Sequence, residues 1–177
     1  MMCIRPATLL NEKAIRGVYL SAFPEGENQM ISELAVNLLL SECTPEIVSL
    51  VAEKNNKVVA HTAFSPVIVN NDESFRVYIL SPLGVMPHYQ NGGLGTKLIE
   101  KGKQDLSAMG VDVLLVYGDP MYYGRFGFGA KVAERYIPPF KLNYPHGWLG
   151  AALNNCDIGK PPVQISCVNA LSHQMLW

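Results

Sequence analysis

The chain has 177 residues, 49% of them apolar and 16% charged, and 14 Lys and Arg against 15 Asp and Glu leave a net charge of −1. That length and apolar content predict one domain with a substantial core and exclude a disordered chain. The near-neutral balance, with no basic run beyond Lys97, Lys101 and Lys103, leaves no footprint for nucleic acid or an anionic membrane, and no apolar run reaches spanning length.

A short first strand is expected over 2–5, stopped by Pro6. A helix over 9–22 follows, with Thr8 as N-cap and Leu9, Ile15, Val18 and Tyr19 as its apolar positions. Phe23-Pro24-Glu25-Gly26 breaks it, and 31–40 forms a second helix around Leu34 and Leu38. Strands over 47–53 and 57–69 flank a tight turn at Asn55-Asn56. After a turn at Asn70-Asn71-Asp72 comes a strand over 75–86, which Pro82 should disrupt. These strands read as an antiparallel meander. Leu94, Leu98, Ile99, Leu106 and Met109 then recur at helical spacing, with Gly110 at C′. The near-continuous apolar run 111–117 reads as a buried strand. Strand, helix and strand in that order imply a right-handed crossover and a parallel pair. Asp119-Pro120 opens a short helix that closes at Gly127. The proline-rich remainder offers one strand, 163–168. The fold class is α+β: a mixed, mostly antiparallel central sheet with one parallel junction and flanking helices.

Cys3, Cys43, Cys156 and Cys167 lack metal-binding or C-x-x-C spacing, and no signal peptide precedes them. Free buried thiols in a cytoplasmic protein without a metal are the expectation.

The segment Gln90-Asn91-Gly92-Gly93-Leu94-Gly95-Thr96 sits at a strand-to-helix junction, where free backbone N–H groups and the helix dipole favour a phosphate. The nucleotide-hydrolase loop is excluded because no glycine stands at the required spacing upstream of Lys97. The dinucleotide fingerprint is excluded because Leu98 occupies its third glycine position. A plain helix-capping turn is the alternative to a binding loop.

The remaining pattern, Q-x-x-G-x-G after Val85-x-Pro87, resembles the acetyl-CoA-binding motif of the GNAT superfamily of N-acetyltransferases. A later run, Gly118-Asp119-Pro120-Met121-Tyr122-Tyr123-Gly124-Arg125-Phe126-Gly127-Phe128, resembles the family's late motif, in which a Tyr precedes a Gly-Phe pair by four residues. The resemblance covers roughly residues 2–130 of one domain spanning 1–177. It implies transfer of acetyl from acetyl-CoA to an amine acceptor by direct attack on the thioester. The runner-up is an acyl-CoA-binding sensor on the same fold without turnover.

On that resemblance, Gln90, Asn91, Gly92, Gly93, Leu94, Gly95 and Thr96 bind the cofactor's diphosphate, and Leu83 and Val85 bind its pantetheine arm through their backbone. Pro82 and Gly84 either form an ordinary bulge or free N–H groups for the thioester, and both can hold at once. Tyr123 becomes the acid that protonates the departing thiolate. The general base stays open among His61, His88, Glu27, Glu33 and a water chain. Where many members place an Asn to contact the cofactor arm, Asp119 stands here and is explained as a helix cap. Segments 23–29 and 137–148 are expected to shape the acceptor site, with Glu25, Glu27, Tyr136, Tyr144, His146 and Trp148 suiting a cationic amine. A homodimer is the base-rate expectation for oligomeric state.

Overall fold

The computed structural model describes residues 1–156 and 158–177. Eight strands and five helices are described: β1 (Met2–Pro6), α1 (Glu12–Ala22), α2 (Asn28–Leu40), β2 (Val48–Lys54), β3 (Lys57–Val69), β4 (Val77–Val85), α3 (Leu94–Ala108), β5 (Val113–Tyr117), α4 (Pro120–Tyr123), α5 (Ala130–Ala133), β6 (Tyr136–Ile137), β7 (Trp148–Ala152) and β8 (Val163–Cys167). The hydrogen-bonded strand order is β1-β2-β3-β4-β5-β7, with β8 paired to β3 and β6. β1–β2, β2–β3, β3–β8 and β5–β7 are antiparallel, whereas β4–β5 and β6–β8 are parallel. This is the mixed sheet with flanking helices that the sequence predicts.

Two compact units make up the chain, Met1–Phe64 with Ser81–Gly102, and Ser65–Leu80 with Lys103–Trp177. β3, β4 and α3 each run through both, which is why composition marks no boundary between them.

In the first unit, α1 buries Ile15, Val18 and Tyr19, spaced three and four apart so that they share one helix face. They pack with Ala35 of α2, Val51 of β2 and Val58 of β3. Residues 9–11 form a separate 3-10 turn rather than the start of α1. Thr8 is its N-cap, as expected, and the Asn11 side chain reciprocates by accepting from the Thr8 N–H at 2.9 Å, which completes a capping box. The β2–β3 turn places Asn55 and Asn56 at φ 50° and 60°, the left-handed pair that a two-residue hairpin demands. β4 runs on through Pro82, but its parallel pairing with β5 ends at Leu80, just before the proline. The Thr62 hydroxyl donates to the Pro82 carbonyl at 3.0 Å. The register shift lies between Ala52 and Glu53 of β2.

In the second unit, Val77–Leu80 of β4 pairs in parallel with Val113–Val116 of β5, and all eight residues are buried. The apolar run 111–117 becomes a strand only from Val113. Asp112 turns its carboxylate to the Arg76 N–H (3.0 Å) and the Asn155 amide (2.8 Å), which fixes the strand's entry. β7 pairs with β5 from its other side, and α5 packs on β7, where a Cβ on Gly150 would lie 2.9 Å from Val132. Periodicity gave no sign of β6, β7 or α5, because two to five residues carry too little pattern. The four cysteines are free; Cys167 is buried, which pushes its thiol up to about 12, whereas Cys3 and Cys156 are exposed, against the expectation of buried thiols.

Gly102, inside α3, tests which of two opposed effects wins. Alanine favours a helix interior by ~1 kcal/mol over glycine. A Cβ there would lie 2.0 Å from the Phe64 ring, which is fully buried and cannot retreat. Overpacking of this kind costs ~1–3 kcal/mol. Gly102→Ala is therefore expected to destabilise the protein in urea unfolding; a stabilised variant would show that Phe64 has room to move.

Candidate active site

The glycine-rich loop lies between β4 and α3, within the first unit. Asn91 and Gly93 adopt φ 59° and 76°, values that asparagine and glycine accept most readily. Gln90 to Gly93 are exposed, and the loop leads straight into the buried Leu94 and Gly95. The helical ladder begins when the Lys97 N–H donates to the Gly93 carbonyl at 3.0 Å. The N–H groups of Leu94, Gly95 and Thr96 precede that ladder, so they emerge at the positive end of a 15-residue helix.

Gln90 has a more local task than its place in the motif implied. Its side-chain amide donates to the Val85 carbonyl at 3.0 Å and fastens the loop to the last residue of β4. On that strand Leu83 and Val85 are half-buried on one face, whereas Pro82 and Gly84 are buried on the other. Gly84 is required sterically: a Cβ would lie 2.7 Å from the Tyr19 ring.

Tyr19 in turn belongs to a buried polar chain that sequence reasoning did not find. Its hydroxyl lies 2.8 Å from His61 Nδ1 and 3.0 Å from the His61 carbonyl, and Ser49 Oγ lies 2.8 Å from Nε2. The pattern that satisfies every proton has Nδ1–H donating to Tyr19, the Tyr19 hydroxyl donating to the carbonyl, and the Ser49 hydroxyl donating to Nε2. Burial holds the His61 pKa down to about 3, so the ring is neutral. With no solvent exposure and both ring nitrogens engaged, His61 is a structural group rather than a candidate base. Of the other candidates, His88 is exposed in the 3-10 turn after β4, Glu27 is exposed at the start of α2, and Glu33 is an exposed residue of α2 that accepts from Gln29.

Tyr123 lies in the second unit, at the end of α4. The Asp119 carboxylate caps this short helix by accepting from the Met121 N–H at 2.9 Å, as its Asp-Pro start predicts. Gly127, at φ 82°, ends the following turn, and Lys103 donates to the Phe126 carbonyl at 2.8 Å. The Tyr123 ring meets Tyr122 and Phe128 edge-on and lies against Gly118, where a Cβ would come within 2.4 Å of it. Burial, reinforced by Tyr122, pushes the Tyr123 hydroxyl well above its ordinary value, so it is protonated at neutral pH.

Beside Gly118 a cavity of about 470 Å³ opens, lined by Tyr117, Asp119, Tyr144, His146, Met175 and Trp177 among others. Of the six residues expected at an acceptor site, Tyr144 and His146 line this cavity, whereas Glu25 and Glu27 are exposed residues of the first unit and are not among its described lining residues. Tyr136 and Trp148 are buried core residues, and the Trp148 indole N–H donates to the Tyr136 carbonyl at 2.8 Å. Among the described residues there is no cluster of three metal-ligating side chains, and no helix is long and apolar enough to cross a membrane.

Residues 4–130 match the family model described as an acetyltransferase (GNAT) domain. The chain belongs to the GNAT acetyltransferase family. This GNAT chain is 32% identical over 117 residues to the uncharacterized N-acetyltransferase YjhQ of Escherichia coli K12, a match spanning 65% of each chain. It is 35% identical over 76 residues to the uncharacterized N-acetyltransferase YhbS of the same strain, spanning 43% of this chain and 45% of that one. The chain thus spans less than two thirds of either relative's length. The crystal structure of E. coli YhbS in complex with CoA superposes with a TM-score of 0.83 at 21% identity, covering 97% of this chain and 92% of that one. A GNAT family acetyltransferase from Brucella melitensis in complex with acetyl-CoA gives 0.75 at 29% identity, covering 97% and 98%.

The neutral, buried His61 has a pH consequence. Its folded pKa is depressed, so below about 6.5 the unfolded chain binds a proton that the native state refuses. Stability is unaffected above that pH and falls as pH drops toward 3. Between pH 6.5 and 5 the loss from this one group is on the order of 2 kcal/mol. Urea unfolding across that window is expected to show a shallower decline for His61→Gln than for the wild type; equal slopes would mean that His61 takes up a proton in the native state.

Proposed function

We propose that this chain transfers the acetyl group of acetyl-CoA to an amine by direct attack on the thioester. The observation that carries the reading is the loop from Gln90 to Thr96: the family's glycine spacing, an exposed backbone with Gly93 at positive φ, and the first-turn N–H groups of α3 beyond it. Charge-assisted hydrogen bonds of this kind are worth ~1.5–3 kcal/mol each, so several hold a diphosphate without a metal. Leu83 and Val85 hold the pantetheine arm through their backbone. The acetyl-CoA bound in the Brucella melitensis relative supports the choice of cosubstrate.

Tyr123 gives its proton to the thiolate as the C–S bond breaks. A raised phenol pKa favours the protonated form needed at that moment, and the same desolvation raises the pKa of the thiol that receives the proton.

Two measurements test the reading. In a thermal-shift panel, acetyl-CoA and CoA are expected to stabilise the protein while ATP and NAD do not; stabilisation by ATP alone overturns it. Tyr123→Phe is expected to lower kcat by ~10²–10⁴ in a thiol-release assay, the range for losing a general acid, while acetyl-CoA affinity stays within about twofold. An unchanged kcat removes Tyr123 from the mechanism. Acetyl-CoA binding without thiol release across a broad amine panel would make the chain a sensor instead.

A further inference from the structure

The cavity beside Gly118 has a definite chemical character. At about 470 Å³ it falls in the size range of small-molecule sites. Its walls are aromatic and thioether surface from Tyr117, Tyr144, His146, Trp177 and Met175. Asp119 supplies the one carboxylate side chain among the described lining residues, and none of them is Lys or Arg.

These walls are held in place. The Tyr117 ring stacks on Trp177 at 6.2 Å and 12°, and the Tyr117 hydroxyl accepts from the Tyr144 N–H at 2.9 Å. Trp177 packs edge-on against Trp148 at 5.8 Å and donates its indole N–H to the Leu171 carbonyl at 3.0 Å. Asp119 is oriented by its cap: Oδ1 accepts from the Met121 N–H, while Oδ2 has no hydrogen-bond donor among the described residues. The Tyr123 ring packs against Gly118.

We propose that this cavity is the acceptor site and that it takes a small primary amine with one positive charge, an apolar body and no carboxylate. The inference rests on the acetyl-transfer reading above. Asp119 Oδ2 binds the ammonium, and the aromatic faces add cation–π attraction. The apolar body lies against Tyr117, Trp177 and Met175, where it leaves water. A carboxylate on the ligand would meet Asp119 without a cationic partner, which disfavours free amino acids. A second ammonium would find no second carboxylate side chain among the described lining residues, which disfavours polyamines.

The step balances without a further reagent. The bound ammonium releases one proton to solvent, and the freed nitrogen attacks the thioester carbonyl. The C–N bond forms and the C–S bond breaks. The thiolate takes its proton from Tyr123, which recovers one from the amide nitrogen by way of solvent. The products are the N-acetylated amine, CoA thiol and one proton.

The test uses the full-length protein and three probes: 2-phenylethylamine, L-phenylalanine and spermidine. Calorimetry with and without acetyl-CoA measures binding, and thiol release measures turnover. The expected result is saturable binding and acetylation of 2-phenylethylamine, with kcat/KM at least about tenfold lower for the other two probes. Asp119→Asn keeps the helix cap, because asparagine caps as well as aspartate. It is expected to raise KM for 2-phenylethylamine about tenfold or more, the equivalent of one lost charge-assisted bond, and to leave the thermal shift with acetyl-CoA unchanged. Tyr144→Ala, at an exposed position, is expected to raise the same KM without altering that shift. Equal use of L-phenylalanine, or an unchanged KM in Asp119→Asn, overturns the inference. So does absence of 2-phenylethylamine binding at millimolar concentration. Each of these leaves the acetyl-CoA shift, and with it the underlying reading, intact. A missing acetyl-CoA shift defeats that reading, and the calorimetry then judges the cavity by itself.

Discussion

The arrangement depends on one constraint: parallel strands cannot be joined by a tight turn. Once Val77–Leu80 of β4 pairs in parallel with Val113–Val116 of β5, the chain between them must travel the full length of a strand before it can return. α3 is that return path. Its start inevitably falls at the end of β4, where its unpaired N–H groups are left without carbonyl partners. A polar ligand at that junction therefore completes the hydrogen bonding that the topology leaves undone. Glycine and asparagine are what the junction can accommodate, because the chain must turn through positive φ before the helix begins.

Much of this was legible in the residues because the relevant signals are local. Val77 to Leu80 and Val113 to Val116 are apolar without alternation, as segments buried on both faces must be. The stripe through Leu94, Leu98, Ile99 and Leu106 reads as a helix because all four side chains are buried on one face. Asp119-Pro120 and the positive-φ glycines 110 and 127 behave as their chemistry dictates. What the residues hid depends on partners far away in the chain. That His61 is a structural group follows from Tyr19 and Ser49, at separations of 42 and 12 residues. The Pro82 carbonyl finds its donor in the hydroxyl of Thr62, 20 residues earlier. Trp148 and Tyr136 look like ligand-facing aromatics in sequence and prove to be core, since β7 is too short to announce itself.

The two short-range devices beneath β4 work together. Gln90 ties the loop to Val85, and Gly84 lets the ring of Tyr19 lie directly on the strand's backbone. Tyr19 is itself immobilised by His61, whose neutrality is enforced by burial. A rigid aromatic under a side-chain-free stretch of strand holds the adjacent peptide groups at a set height. Backbone recognition of an extended ligand arm requires that fixity, because a hydrogen bond weakens quickly when donor and acceptor drift apart.

Tyr117 has a further consequence, in folding time. Its ring carries Trp177 and its hydroxyl carries Tyr144, so one residue of β5 anchors two segments that lie 60 and 27 positions further along. Their packing on Tyr117 cannot form until β5 has joined the sheet, and contacts across such long loops form late because their closure entropy must first be met. The aromatic walls around Gly118 are thus expected to be the last part of the second unit to order during refolding, after the strands that support them. A truncated or destabilised chain could then keep a formed sheet and glycine loop while leaving those walls unassembled.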